Sequence, residues 1–274
     1  MSIYDINGNP IDAGGTGSSI NYDLIMKSVN HRGYNATAPE NTLPAFKLSK
    51  KNGFNYVETD VQFSSDGVAV LCHDLTINRT ARNADGSSIG SSDVYLNTKT
   101  YAQLLEYDFG IWKSAEYAGT KIPSFEDFIA LCKKIALHPY IELKAGTQAQ
   151  IEGLVDTVRA CGMEKNVTWI SFNATRLGYV KAYDEEARLG LLSDYSTSEN
   201  IATAQGLMTS TNEVFMNSGS RTAEAVQRCK VADIPMEVYT LDNTSYITAL
   251  DPYITGVTSN NLIAGKVLYN ANIG

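Results

Sequence analysis

From residue 26 onward the chain alternates short apolar runs with stretches whose apolar residues recur at helical spacing. The runs at 27–31, 56–63, 139–144, 167–171, 187–192, 214–217, 236–241 and 256–259 read as strands. Helical patterns fall between them at 42–51, 125–134, 147–161, 174–183, 198–205, 221–231 and 244–250, and a last helix is expected to begin near Leu262. Eight such strands, each leading into a helix, fit a closed parallel barrel better than an open sheet. A (β/α)8 barrel of the TIM type needs roughly 250 residues, and the chain has 274. Its 43% hydrophobic and 19% charged residues are enough apolar material for one large core.

Two segments break the rhythm. Residues 1–22 are rich in Gly, Asn and Ser and read as a flexible lead, with the barrel domain spanning 23–274. The stretch GGTGSS at 14–19 has the look of a phosphate loop, but it follows no strand and carries no Lys. After an extra hairpin at 68–73, residues 76–122 form a polar, Tyr-bearing segment, read as a small insertion between the second strand and its helix. On a barrel an insertion there sits at the carboxyl rim, over the active site.

Lys and Arg total 22 against 30 Asp and Glu, a net charge of −8. That argues against nucleic acid or an anionic membrane as the main partner. It still permits a phosphate substrate, because a few local cations can reverse the sign within one cleft. Cys72, Cys132, Cys161 and Cys229 are not closely paired and are expected as reduced thiols. The sequence starts without a basic-then-apolar leader, and no apolar stretch approaches the ~18 residues that span a bilayer. The expected location is cytoplasmic, with an extracellular or virion-associated setting as the alternative.

The chemistry-bearing residues are few. Of three histidines, two stand in unusual company, as His31-Arg32-Gly33 and His73-Asp74. Between them lie Glu58 and Asp60, two apart on a strand and therefore on one face. Neighbouring carboxylates repel unless a cation sits between them, and oxygen ligands favour Mg²⁺ or Ca²⁺. Zn²⁺ fits less well, since no Cys/His cluster has its spacing. A solvated acidic edge strand would show the same spacing. The pattern recurs at Glu142 and Lys144: a third ligand and a phosphate-binding cation, or else an ordinary cross-face ion pair. His138 precedes Pro139 at a strand start, the structural end of a barrel. Ser171, Phe172, Asn217 and Tyr239 fall at strand ends, where they either line a pocket or support one. Trp112, Tyr95, Tyr101, Tyr107 and Tyr117 either contact substrate or pack within the insertion.

Taken together, His31-Arg32-Gly33, Pro39-Glu40-Asn41-Thr42, Ala45-Phe46, Gly53, Glu58-Thr59-Asp60-Val61, Asp66-Gly67, His73-Asp74 and Asn78-Arg79-Thr80 closely resemble the signature of the glycerophosphodiester phosphodiesterase family. The resemblance covers roughly residues 29–80 and resumes at Ile122-Pro123-Ser124 and Ile141-Glu142-Leu143-Lys144. Later, Val238-Tyr239-Thr240 stands where the family usually carries a Trp-containing motif, a departure that bears on substrate packing rather than on the chemistry. The resemblance implies that Glu58, Asp60 and Glu142 hold one divalent cation. It makes His31 and His73 the acid/base pair, and Arg32 and Lys144 the phosphate grip, with Glu40-Asn41 shaping the first loop. The implied reaction is attack by the neighbouring glycerol hydroxyl on phosphorus, a cyclic phosphate, and opening by water to glycerol 3-phosphate and an alcohol. Two other readings stand beside it. One is a sphingomyelinase D-like phosphodiesterase. The other is a domain of a surface or phage-tail assembly that acts on or binds a glycerol-phosphate polymer such as teichoic acid.

Overall fold

The computed structural model describes residues 27–247 and 249–260. The 1–22 lead and the helix expected from Leu262 lie outside them. The strands are β1 (Lys27–Asn30), β2 (Tyr56–Phe63), β3 (Ala69–Leu71), β4 (His138–Leu143), β5 (Thr168–Ser171), β6 (Leu189–Ser193), β7 (Val214–Ser218), β8 (Met236–Val238) and β9 (Ile254–Ser259). The helices are α1 (Leu43–Lys51), α2 (Tyr101–Leu104), α3 (Phe125–Ile135), α4 (Gln148–Ala160), α5 (Ala174–Tyr183), α6 (Ser198–Gln205), α7 (Ala223–Val231) and α8 (Thr244–Ile247).

The strands run β1-β9-β8-β7-β6-β5-β4-β2, all parallel, and β1 also pairs with β2 to close the ring. The expected (β/α)8 barrel forms. Strand β3 is the exception: it runs antiparallel along β2 and stands outside the ring. Helix starts follow local chemistry. Ser124, Thr147, Asn173, Thr197 and Thr222 each accept a backbone N–H at the first turn of α3 to α7, which satisfies donors that the helix leaves unpaired.

Alternation along each strand makes two apolar layers. Outward side chains such as Val57, Val61, Ile141, Trp169, Leu191 and Met216 pack with the helices in the main core. Inward ones, Val29, Tyr140, Ile170, Leu192 and Phe215, fill the barrel. Gly190 makes room for Phe215, whose ring would lie 2.3 Å from a Cβ there. At the amino end of the strands the guanidinium of Arg188 donates to Tyr140 Oη at 3.0 Å and Glu237 Oε1 at 2.8 Å, and it stacks 4.3 Å from the Phe215 ring. His138 belongs to this closed end, with Nε2 2.8 Å from Thr168 Oγ1. Burial, then Arg188 and Lys27, push its pKa down to about 3, so it is a neutral structural residue away from the mouth.

From β3 to α3 the chain builds a small core of its own from Val70, Cys72, Ile77, Ala81, Leu96, Leu104, Phe109 and Ile122. Asp108 organises its turns by accepting the N–H groups of Gly110, Ile111 and Gly119. The four cysteines carry no disulfide, three of them buried. Strand β8 is much shorter than the sequence pattern suggests, ending at Val238, and the helix expected over 244–250 does not extend to 249–250. Among the described residues no helix is long and apolar enough to cross a membrane.

Candidate active site

The site is assembled at the carboxyl ends of β1, β2 and β4. As β1 ends, the His31 N–H donates to Ser259 O of β9 at 3.0 Å, and the chain then turns sharply. Arg32, Gly33 and Asn41 all take positive φ, at 55°, 74° and 54°. Gly33 is required there, because a Cβ would sit 2.8 Å from that of Ala45 on α1. Asn41 ties the loop to the barrel. Its N–H donates to Arg32 O at 3.0 Å, its side-chain Nδ2 donates to Asp60 Oδ2 at 2.8 Å, and its Oδ1 accepts from Thr59 Oγ1 at 2.9 Å. The strained turn is thus held from both sides, which is what keeps such backbone populated.

Glu58 and Asp60 share the inner face of β2, and Glu142 on β4 stands in register with Asp60. One carboxylate oxygen from each lies within 4.8 Å of the other two. Glu58 is 3% and Asp60 0% exposed. Glu58 Oε1 and Asp60 Oδ1 are buried with no hydrogen-bond partner among the described residues. Orphaned buried acceptors are costly and rare. Burial, then the charges of Asp60 and Glu142, drive Glu58 well above the usual carboxylate range. Burial and Asp60 push Glu142 up to about 7, against the opposing pull of Lys144. Three crowded carboxylates with bare oxygens have the donor set of a hard divalent cation, and the residues present fit one.

Two cations flank them. The Arg32 N–H donates to Glu58 Oε2 at 2.8 Å, its Nη1 to Glu40 Oε1 at 3.0 Å, and its Nε lies 3.3 Å from Asp60 Oδ2. Lys144 Nζ is 3.3 Å from Glu142 Oε1 and 3.7 Å from Asp60 Oδ1. His31 Nδ1 is 2.8 Å from Asn260 Oδ1, and its Nε2 is 3.9 Å from Glu58 Oε2. Burial, then Arg32, lower its pKa below the ordinary histidine value. His73 Nδ1 is 2.7 Å from Asp74 Oδ1. Arg79 forks to Asp74 and Glu40, and Glu40 returns to Arg32. Burial alone would raise Asp74, but its bonds from Arg79 and His73 hold it down at about 2. Gln62 fixes the His73 segment by donating to the carbonyls of Cys72, His73 and Asp74 at 2.8, 3.2 and 2.8 Å.

His31, Arg32, Glu58, His73, Glu142 and Lys144 line one cavity of about 170 Å³, with Asp60 buried beside them. The seven residues read from the sequence as metal ligands, acid/base pair and phosphate grip therefore converge on one place. Phe172, Asn217 and Tyr239 line it too, whereas Ser171 points its hydroxyl at Leu143 O, 2.9 Å away, and is a support. Trp112 and the insertion tyrosines are not among the lining residues. Trp112 donates to Phe109 O at 3.0 Å, and Tyr101 and Tyr107 pack on the insertion core. Asn260, Gln62 and Arg79 were given no role by their positions in the sequence. Arg79 at least sits within the signature stretch, while Asn260 and Gln62 carry no local signal.

Fold and site together define a (β/α)8-barrel protein whose mouth sets an acidic cluster among two histidines and two cations. The chain matches the Glycerophosphoryl diester phosphodiesterase family over residues 31–263, and it belongs to that family. It is 30% identical over 167 residues to the glycerophosphodiester phosphodiesterase of Caldanaerobacter subterraneus subsp. tengcongensis, covering 60% of this chain and 65% of that one. It is 31% identical over 131 residues to human glycerophosphodiester phosphodiesterase 1, covering 47% and 37%. The chain thus spans less than two thirds of the length of these relatives. An Oleispira antarctica phosphodiesterase, solved in complex with the product sn-glycerol-3-phosphate, superposes with a TM-score of 0.75 at 23% identity, over 92% of this chain and 99% of that one. The glycerophosphodiester phosphodiesterase of Agrobacterium tumefaciens gives 0.70 at 23% identity, over 89% and 99%. At that identity the structural likeness is one of fold.

Proposed function

We propose that this protein hydrolyses glycerophosphodiesters to glycerol 3-phosphate and an alcohol, using one divalent cation held by Glu58, Asp60 and Glu142. The observation that carries this reading is the cavity in which bare, crowded carboxylate oxygens lie beside two histidines, an arginine and a lysine. Oxygen-only donors select Mg²⁺ or Ca²⁺. When bound, the ion would supply charge stabilisation at the non-bridging phosphate oxygens.

The chain's own groups account for the rest. Lys144 and the Arg32 guanidinium supply cations at the same oxygens, where charge grows in the transition state. One of His31 and His73 removes a proton from the glycerol hydroxyl next to the phosphoester, and that oxygen attacks phosphorus. The other delivers a proton to the departing alkoxide. With the roles exchanged, water then opens the cyclic phosphate. Each proton transfer is worth about 10²–10⁴ in rate. Asp74 holds the His73 ring from Nδ1 and Asn260 holds His31 in the same way, leaving each Nε2 as the working nitrogen.

The test is release of glycerol 3-phosphate from glycerophosphocholine, before and after treatment with a chelator. Activity should vanish with the chelator and return with Mg²⁺ or Ca²⁺. Full turnover by metal-free protein would remove the metal from the reading. Choline phosphate ester cleavage in sphingomyelin, with no action on glycerophosphocholine, would place the chain with sphingomyelinase D-like enzymes instead.

A further inference from the structure

The cavity has two unlike arcs. The arc from β1, β2, β4 and the turn after β3 carries the carboxylates, histidines and cations. On the arc from β5 to β8, Ile170, Phe172 and Leu192 present only carbon, and Tyr239 and Thr240, just past β8, add hydroxyls, that of Tyr239 bonded to Asp194. Asn217 interrupts that second arc. It lies on the inner face of β7, two residues beyond the barrel-filling Phe215, and pairs in register with Leu192. Asn217 is 1% exposed, yet neither its side-chain nitrogen nor its oxygen has a hydrogen-bond partner among the described residues. A buried amide with both ends bare weakens the fold, because its hydrogen bonds to water are given up and not replaced. A leucine of similar size would pack there at lower cost. The amide therefore belongs to something that enters the cavity.

Its chemistry narrows the ligand. A phosphate oxygen accepts from the amide N–H but is repelled by the amide oxygen. A neutral hydroxyl satisfies both ends, accepting from Nδ2 and donating to Oδ1. Depth narrows it further. The leaving alcohol varies between diesters and must depart to solvent, and at the rim Phe172 is 53% exposed with its ring edge-on to Tyr239. The constant part of the substrate, glycerol, goes to the buried end. Its inner hydroxyl is committed to the histidines as nucleophile, so the terminal hydroxyl is the one left without a partner.

We infer that Asn217 is a specificity-determining residue that binds the terminal hydroxyl of the glycerol moiety. This inference rests on the glycerophosphodiester reading above. The experiment compares kcat/KM for glycerophosphocholine with that for the matching phosphocholine diester of propane-1,2-diol, which keeps the attacking hydroxyl and lacks the terminal one. The parent protein should prefer the glycerol substrate roughly 10- to 100-fold. In Asn217→Leu that preference should fall to about one, through loss on the glycerol substrate, while the melting temperature holds or rises. Asn217→Ala reads the same ratio without added branching if the leucine variant does not fold. A preference kept in a folded variant overturns the inference. So does an equal fall on both substrates accompanied by a lower melting temperature, which is what a structural amide would give. A parent protein that turns over both diesters equally refuses Asn217 alone. One that turns over neither refuses the proposed activity along with it.

Discussion

Replacing Glu142 with Gln should stabilise the metal-free protein at about pH 8 and at the same time abolish its response to divalent ions. In the folded chain Glu142 is pushed from 4.5 to about 7, first by burial and then by Asp60. A carboxyl raised by folding favours the folded state while it is protonated, below 4.5, and that advantage is lost as the pH climbs through about 7. Across that window the loss is about 3 kcal/mol, from about 1.4 kcal/mol for each tenfold change in proton affinity. The Gln side chain keeps the shape and carries no charge. The shift to about 7 already contains the pull of Lys144, 3.3 Å away, so the net gain is about 3 kcal/mol. At the melting midpoint that is about 6–12 °C. Melting curves in chelator, from about pH 5 to about pH 8, should therefore diverge, with the parent falling behind the variant as the pH rises. Added Mg²⁺ or Ca²⁺ should raise the parent by about 2.7 kcal/mol at a hundred times its dissociation constant and leave the variant unmoved. Parallel pH curves in chelator, or an ion-induced rise that survives in the variant, would refute the claim that repulsion among these carboxylates is what the ion relieves.

Lys144→Met should lower kcat by about 10²–10³ with little change in the denaturant midpoint; an unchanged rate would leave Lys144 as an ion-pair partner of Glu142 and nothing more. His31→Ala and His73→Ala should each remove most of the rate without weakening ion binding, and the double variant should lose far less than the product of the two. A nitrophenyl leaving group, which needs little protonation, should rescue only the variant lacking the general acid, which a comparison of kcat values for the two diesters would show. Gly256→Ala should cost about 1–3 kcal/mol in urea unfolding, because its Cβ would meet Glu237 Cδ at 2.7 Å and the Glu237 carboxylate is pinned by Arg188 and Tyr140; a wild-type midpoint would show that the closed end of the barrel yields easily.

Much of this architecture can be read from residue order because its causes are local. Period-two spacing alone puts Glu58 and Asp60 on one face, and parallel pairing then brings Glu142 level with Asp60. His31 and His73 are legible for a similar reason, each standing just beyond an apolar strand. The parts that escape depend on distant contacts. Asn260 meets His31 across 229 residues, and Arg79 meets Glu40 across 39; neither pairing leaves a trace in spacing. The insertion core escapes because Ile77, Ala81, Leu96, Leu104 and Phe109 come together through turns rather than through any repeat. At 236–241 the apolar run outlasts its strand. Beyond Val238 regular pairing stops, although Tyr239 N–H still donates to Ser218 O and Leu241 N–H to Thr258 O, and the Tyr239 hydroxyl reaches Asp194 at 3.2 Å.

The seam where β1 meets β9 lies directly under His31, whose backbone N–H bonds Ser259 and whose ring bonds Asn260. A nascent chain that has emerged as far as Lys144 already holds every carboxylate, both histidines and both cations. It still lacks the strand against which one of those histidines is set. The seam joins the two ends of the described barrel, so a chain cut short before Ile254 would lack both Ser259 and Asn260, the groups that fix the His31 backbone and ring.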